Sequence, residues 1–181
     1  MNWGGAKWMT MSEICNNISS GKNRIKNPHG KYPVYGSTGI ISYCESFSFS
    51  DTQILVARVG ANAGYVQIAK GQYNVSDNAL IIDLKKEFIL KYVYYILMNM
   101  HLNKYAKGGG QPLITASELK KLLIPIPPLS EQKRIVSILD KFDALVNDLS
   151  QGLPAEIAAV QEQYEYYRNK LLSFPKHKLT A

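Results

Sequence analysis

Beginning at Ile135, the chain carries an apolar side chain at every third or fourth position: Ile135, Leu139, Phe142, Val146, Leu149, Leu153, Ile157, Val160, Tyr164, Tyr167, Leu171 and Phe174. The intervals run 4, 3, 4, 3, 4, 4, 3, 4, 3, 4, 3. That is the spacing of a coiled-coil seam with one irregular step, at Gly152-Leu153-Pro154. Ser130 is suited to cap the helix N-terminus and Glu131 to its positive end, although Lys133 at the third position leaves the capping box incomplete. Pro154 removes one backbone hydrogen bond and predicts a kink. Because the stripe stays in phase across Pro154, it predicts one kinked rod over 131–173, whose 43 residues reach about 65 Å. A stripe of this kind cannot stay wet. Folding back on the globule, or an αα-hairpin at Pro154, would cover it in cis; the length favours a second chain, in the antiparallel arrangement that two-fold symmetry allows.

The charge divides the chain at the same place. Residues 1–125 hold 14 Lys/Arg against 7 Asp/Glu, and residues 126–181 hold 7 against 7, so the whole net charge of +7 lies in the first part. Twelve of the 13 glycines also lie at or before Gly110. Ile124-Pro125-Ile126-Pro127-Pro128 reads as an extended connector between two regions, 1–125 and 126–181. In the first region, β-rich runs recur at Tyr32–Tyr35, Ile40–Tyr43, Ile54–Val59, Tyr65–Ile68 and Ala79–Ile82, with Gly60 to Gly64 as a five-residue hairpin loop. The stretch from Glu87 to Tyr105 has helical spacing, and Thr115-Ala116-Ser117-Glu118 has the capping-box spacing of a short helix. The expected fold class is therefore α/β in the α+β sense: a mixed twisted-sheet globule followed by a long kinked α-helical coiled-coil spacer.

Several stretches resemble the DNA-specificity (S, HsdS) subunits of type I restriction–modification enzymes. They are Gly30-Lys31-Tyr32-Pro33-Val34-Tyr35-Gly36-Ser37-Thr38-Gly39, Ile54-Leu55-Val56-Ala57-Arg58-Val59-Gly60, Asn74-Val75-Ser76-Asp77-Asn78-Ala79, Gly110-Gln111-Pro112-Leu113-Ile114, and Ile124-Pro125-Ile126-Pro127-Pro128-Leu129-Ser130-Glu131-Gln132. Leu153-Pro154-Ala155-Glu156-Ile157 and Gln163-Tyr164-Glu165-Tyr166-Tyr167-Arg168 are similar to that family's helical spacer. The resemblance implies that 1–125 is a target-recognition domain reading a half-site of duplex DNA, and that 126–181 is a spacer that docks methyltransferase (M) and restriction/translocase (R) subunits. It implies no catalysis and no cofactor in this chain, since the partner methylates adenine with S-adenosylmethionine. The usual subunit carries two recognition domains and two spacers, and one of each is found here. Two copies in antiparallel pairing would then rebuild the full arrangement as a homodimer on a palindromic bipartite site.

Duplex recognition requires cations for phosphate and fork-shaped or amide groups for base edges. The candidates for DNA contact are Lys22, Arg24 and Lys26 in a basic loop, Tyr35 and Ser37 in a turn, Arg58 within an apolar strand, and Lys104, Lys107 and Gln111 around three glycines. Glycine backbone there can follow a groove closely. Arg58 also has the option of pairing with Asp51 or Asp77, as buried charges usually do. A metal-dependent nuclease is the enzymatic alternative, from Asp83-Leu84-Lys85 with Asp77 or Asp51 upstream; a general protein-interaction module is the other. Two cysteines, Cys15 and Cys44, exclude a disulfide framework or zinc finger, and no metal site is expected. Free thiols fit a reducing cytoplasm. No apolar leader opens the sequence, and no uncharged stretch reaches the length of a membrane span.

Overall fold

The computed structural model describes residues 5–22, 29–108, 110–149 and 154–174, with the side chains of 146–149 and 154–157 outside the description. In chain order the elements are β1 (Lys7–Thr10), α1 (Met11–Ile14), β2 (Cys15–Ser20), β3 (Tyr32–Gly36), β4 (Gly39–Cys44), β5 (Gln53–Ala57), β6 (Val66–Ala69), β7 (Asn74–Val75), β8 (Ala79–Leu84), α2 (Leu90–Asn99), a 3₁₀ turn (Leu102–Tyr105), α3 (Ala116–Lys120), β9 (Leu123–Ile126), α4 (Leu129–Leu149) and α5 (Pro154–Leu172). The fold class is α+β, with mixed sheets and a helical spacer. The chain divides into two compact units, Met9–Ile124 and Met1–Trp8 with Pro125–Ala181.

In the first unit, β2-β8-β5-β6 form a four-stranded sheet and β4-β3-β7 a three-stranded one, while β1 and β9 pair separately. The central strands β5 and β8 are antiparallel, Ile54 opposite Ile82 and Ala57 opposite Ala79. Ile54, Leu55, Val56 and Ala57 are all fully buried, which is why this run is apolar throughout and not alternating. Leu55, Ala69, Tyr73, Val75, Ala79 and Ile81 form one core cluster, with Tyr35 and Phe49 packed on its rim. Strand β3 joins β7 in parallel, Tyr35 opposite Val75, so Tyr35 is partly buried, its ring edge-on to Tyr73 at 5.4 Å. Both cysteines are buried and neither is in a disulfide, and burial pushes the Cys15 thiol up to about 12.

The expected helix over 87–105 is shorter. It covers Leu90–Asn99, and His101 then enters the left-handed region at φ 49° before the 3₁₀ turn. The expected cap Ser130 lies inside α4. The amides of Glu131 and Gln132 donate to the Pro128 carbonyl, and the buried Gln132 side chain donates to the Pro127 carbonyl at 2.9 Å. Extended Pro-rich backbone thus closes the helix end, and the helix begins one residue before Ser130.

The spacer folds back on itself. Phe142 of α4 meets Tyr164 of α5 at 6.4 Å between ring centroids and stacks on Tyr167 at 5.2 Å. In one continuous helix, residues 142 and 164 would stand about 33 Å apart. The single kinked rod is therefore replaced by an αα-hairpin. Pro154 opens α5, the helical position where a missing amide is tolerated. Of the seam, Ile135, Leu139, Tyr164 and Leu171 are buried within the one chain, Phe142 and Val160 are half-buried, and Tyr167 lies at the margin of exposure. Leu153 and the side chains of Val146, Leu149 and Ile157 lie outside the described residues. The periodicity is real, but facing helices satisfy it as well as a second chain does.

Candidate nucleic-acid interface

The candidates separated in sequence are gathered by backbone pairing at the end of β5. There the chain leaves its ladder with β6. Arg58 donates its amide to the Asn78 carbonyl at 2.8 Å, and its own carbonyl accepts from Ile114 at 2.8 Å. The Gly60 amide donates to the Pro112 carbonyl at 3.0 Å. Lys107 and Leu113 exchange amide bonds at 2.9 and 2.8 Å and so form the base of a small hairpin, locked to the β5 extension. This brings Arg58, Lys104, Lys107 and Gln111 to one edge, with Lys104, Lys107 and Gln111 exposed.

Two glycines allow the close approach. Gly64 has φ 94°, and a Cβ there would run into the backbone of Leu102 and Asn103, so the β5–β6 loop seats directly on the 3₁₀ turn carrying Lys104. Gly64→Ala is expected to destabilise the fold by about 2 kcal/mol, from the left-handed backbone and the clash together, read as an earlier urea midpoint. Gly108 has φ 107°, and its Cβ would sit 2.8 Å from the Gln111 carbonyl.

The segment Asn74–Ala79 ties in Tyr35 and the backbone beside Lys22. Ser76 donates its amide to the Tyr35 carbonyl at 2.9 Å, Gly21 donates to the Ala79 carbonyl at 3.0 Å, and the Arg58 guanidinium donates to the Asp77 carbonyl at 3.3 Å. Lys22 follows Gly21 and is exposed beside a cavity of about 400 Å³ lined by Ser19, Ser20 and Asn74. Ser37 is half-buried in the β3–β4 turn. Arg24 and Lys26 lie outside the described residues. Sequence reasoning missed 74–79 as an organiser; its signal was turn chemistry, for Ser76 Oγ accepts from the Asn78 amide at 3.3 Å.

Two of the charged candidates are held by partners within the chain. Arg58 is held by a main-chain carbonyl of Asp77, while the Asp51 carbonyl lies 2.9 Å from the Tyr73 hydroxyl. Lys107 forms an ion pair with Glu118, Nζ to Oε1 at 2.8 Å. The same carboxylate caps α3: its Oε2 accepts from the amide and hydroxyl of Thr115, both at 3.0 Å. Lys107 first and Thr115 second hold the Glu118 carboxyl down at about 2. A carboxyl depressed in the fold contributes fully above its unfolded range and loses that contribution only as pH falls toward about 2, so the pair is intact throughout the neutral range. Asp83 accepts from the Asn16 side chain at 3.3 Å, Lys85 donates to the Glu13 carbonyl at 2.6 Å, and among the described residues no group of three His, Cys, Asp or Glu could hold a metal ion. No described helix is long and apolar enough to cross a membrane.

Comparison with known proteins supplies the context for this edge. The family model of the type I restriction modification DNA specificity domain matches residues 5–159. A type I restriction enzyme specificity subunit of Haemophilus influenzae is 30% identical over 177 residues, 92% of this chain and 46% of that protein. The EcoR124I/EcoR124II specificity subunit of Escherichia coli is 44% identical over 95 residues, 50% of this chain and 24% of its own length. The chain thus spans about half the length, or less, of these relatives. Among solved structures, the type I S subunit of M. genitalium superposes with a TM-score of 0.69 at 24% identity, covering 81% of this chain and 41% of that one. The HsdS subunit of Thermoanaerobacter tengcongensis gives 0.63 at 19% identity, covering 93% and 45%. Both likenesses are of fold.

Proposed function

Because the chain belongs to the type I restriction modification DNA specificity family, we propose that its sheet unit reads a half-site of duplex DNA through the edge formed by Arg58, Lys104, Lys107 and Gln111. The observation that carries this reading is the convergence of three chain segments, locked by backbone bonds, in the part of the sequence that holds the entire net charge. Lys104 and Lys107 would meet phosphates. Arg58, fixed by the Asp77 carbonyl, and the amide of Gln111 have the fork and amide chemistry that base edges require. Lys22, Tyr35 and Ser37 would extend this interface: Gly21 beside Lys22 and the Tyr35 carbonyl are bonded to the 74–79 segment, although the Tyr35 ring is chiefly engaged with Tyr73. No chemical step is assigned to this chain; its role is to choose the site.

The finer parts of the proposal concern the helical unit. Docking of methyltransferase and restriction subunits, and pairing of two copies, would use its outward apolar side chains: Leu129, Leu145 and Tyr166 are half or more exposed. Ile135, Leu139, Tyr164 and Leu171 of the seam that suggested a homodimer are buried within one chain, so these four by themselves do not argue for a second copy.

The test is salt-dependent binding of the full chain to a labelled mixed-sequence duplex. Lys104→Ala combined with Lys107→Ala is expected to weaken binding to all sequences by on the order of ten-fold, and to lower the slope of log affinity against log salt by about two. Unchanged affinity and slope would remove this edge from the interface.

A further inference from the structure

Lys107 is not idle before DNA arrives. It is largely exposed, yet its ammonium rests on Glu118 at 2.8 Å. The carboxylate on the other side of that contact is not free to travel with it. Its second oxygen is held by the amide and hydroxyl of Thr115, and the Glu118 amide in turn donates to Thr115 Oγ1 at 3.2 Å. The base of the hairpin is equally fixed, by the mutual bonds of Lys107 with Leu113 and by Gly60 to Pro112. A phosphate approaching Lys107 therefore meets a stationary carboxylate of like charge. The lysine side chain is long and exposed, whereas the backbone and Glu118 are held by further hydrogen bonds of their own.

We propose that Glu118 is an internal stand-in for a DNA phosphate: it holds Lys107 in the free protein, gives it up when DNA binds, and so sets the affinity and salt dependence of the interface. The exchange is feasible because an exposed ion pair is weak, whereas a cation delivered to the duplex releases condensed counterions. Glu118 is thus a positioning residue, acting through Lys107 and not on DNA itself. This inference rests on the assignment of Lys107 to the phosphate-contacting edge.

The experiment is a double-mutant cycle on the full chain with the mixed-sequence duplex. Glu118→Gln keeps the length and the acceptor that cap α3, removing only the charge. It is expected to tighten binding about two- to five-fold and to steepen the salt slope by about one. In the Lys107→Gln background the same change is expected to do nothing, whereas a merely structural role for Glu118 would move affinity equally in both backgrounds. Glu118→Gln that leaves binding unchanged or weaker, while Lys107→Gln alone weakens it, overturns the inference and leaves the proposed interface standing. Lys107→Gln with no effect overturns both.

Discussion

Replacing Tyr73 with alanine is expected to cost the sheet unit about 4 kcal/mol and to lower its melting temperature by on the order of 15 °C. Tyr73 is fully buried and touches both sheets' neighbourhoods. Its ring stacks on Phe49 at 5.6 Å and receives the edge of Tyr35 at 5.4 Å. Its backbone exchanges bonds with Phe49, and its hydroxyl lies 2.9 Å from the Asp51 carbonyl and 2.8 Å from Gln53 Oε1. Burial, and then Asp51, push the phenol well above its ordinary range, so it stays neutral and donates at every working pH. Alanine removes the ring, leaves a cavity, and takes away the single hydroxyl proton that lies between two acceptor oxygens. Phenylalanine keeps the ring and loses only the donor, about 1 kcal/mol. Calorimetry of wild type, Tyr73→Phe and Tyr73→Ala separates the two contributions. An alanine variant melting within a few degrees of wild type would show that 74–79, and with it the placement of Arg58, does not depend on this ring. The expected result has a functional corollary: DNA binding by the alanine variant falls with the folded fraction, because Asp77 and Asn78 position Arg58 from the adjacent turn.

Much of this fold was readable in advance, and the failures share a cause. The β5–β6 hairpin was legible because Gly60 and Gly64 both sit at positive φ, where a local rule operates. The end of β5 was not: Val59 bridges Leu113, a partner more than fifty positions away that no periodicity announces. Helix α2 was legible in its apolar repeat, but its end was fixed by the Gly64 loop seated against Leu102 and Asn103, a tertiary contact. Thr10 and Glu13 form the same capping box as Thr115 and Glu118, yet the helix they open is a single turn without an apolar run to draw attention. Strand β7 has two residues, too few for any pattern. At the candidate interface, composition singled out Lys107, while Glu118 was read only as a cap. The ion pair joining them spans a loop, and side-chain partners across loops leave no mark in spacing. The seam shows the limit most plainly, since apolar periodicity states that a face is buried and is silent on what buries it.

That silence is resolved by Ile135→Asp. Ile135 is fully buried in α4 within a single chain, in the unit where Phe142 meets Tyr164 and Tyr167. An aspartate there loses the apolar contacts and places a carboxylate without a matched partner in the interior, for about 4 kcal/mol together. The carboxyl responds by keeping its proton, so its folded pKa rises above the unfolded value. Its charge penalty is greatest above that raised pKa, fades as pH falls through it and is gone below the ordinary carboxylate range, while the packing loss persists. Helical signal at 222 nm is expected to melt earlier by the same interval at every protein concentration, because burial inside one chain is unimolecular. A stripe covered by a second copy behaves differently: mass action ties its melting to protein concentration. Wild-type melting that climbs with concentration, together with an Ile135→Asp deficit that shrinks as protein is added, would take the seam out of the hairpin and return it to an interface between chains.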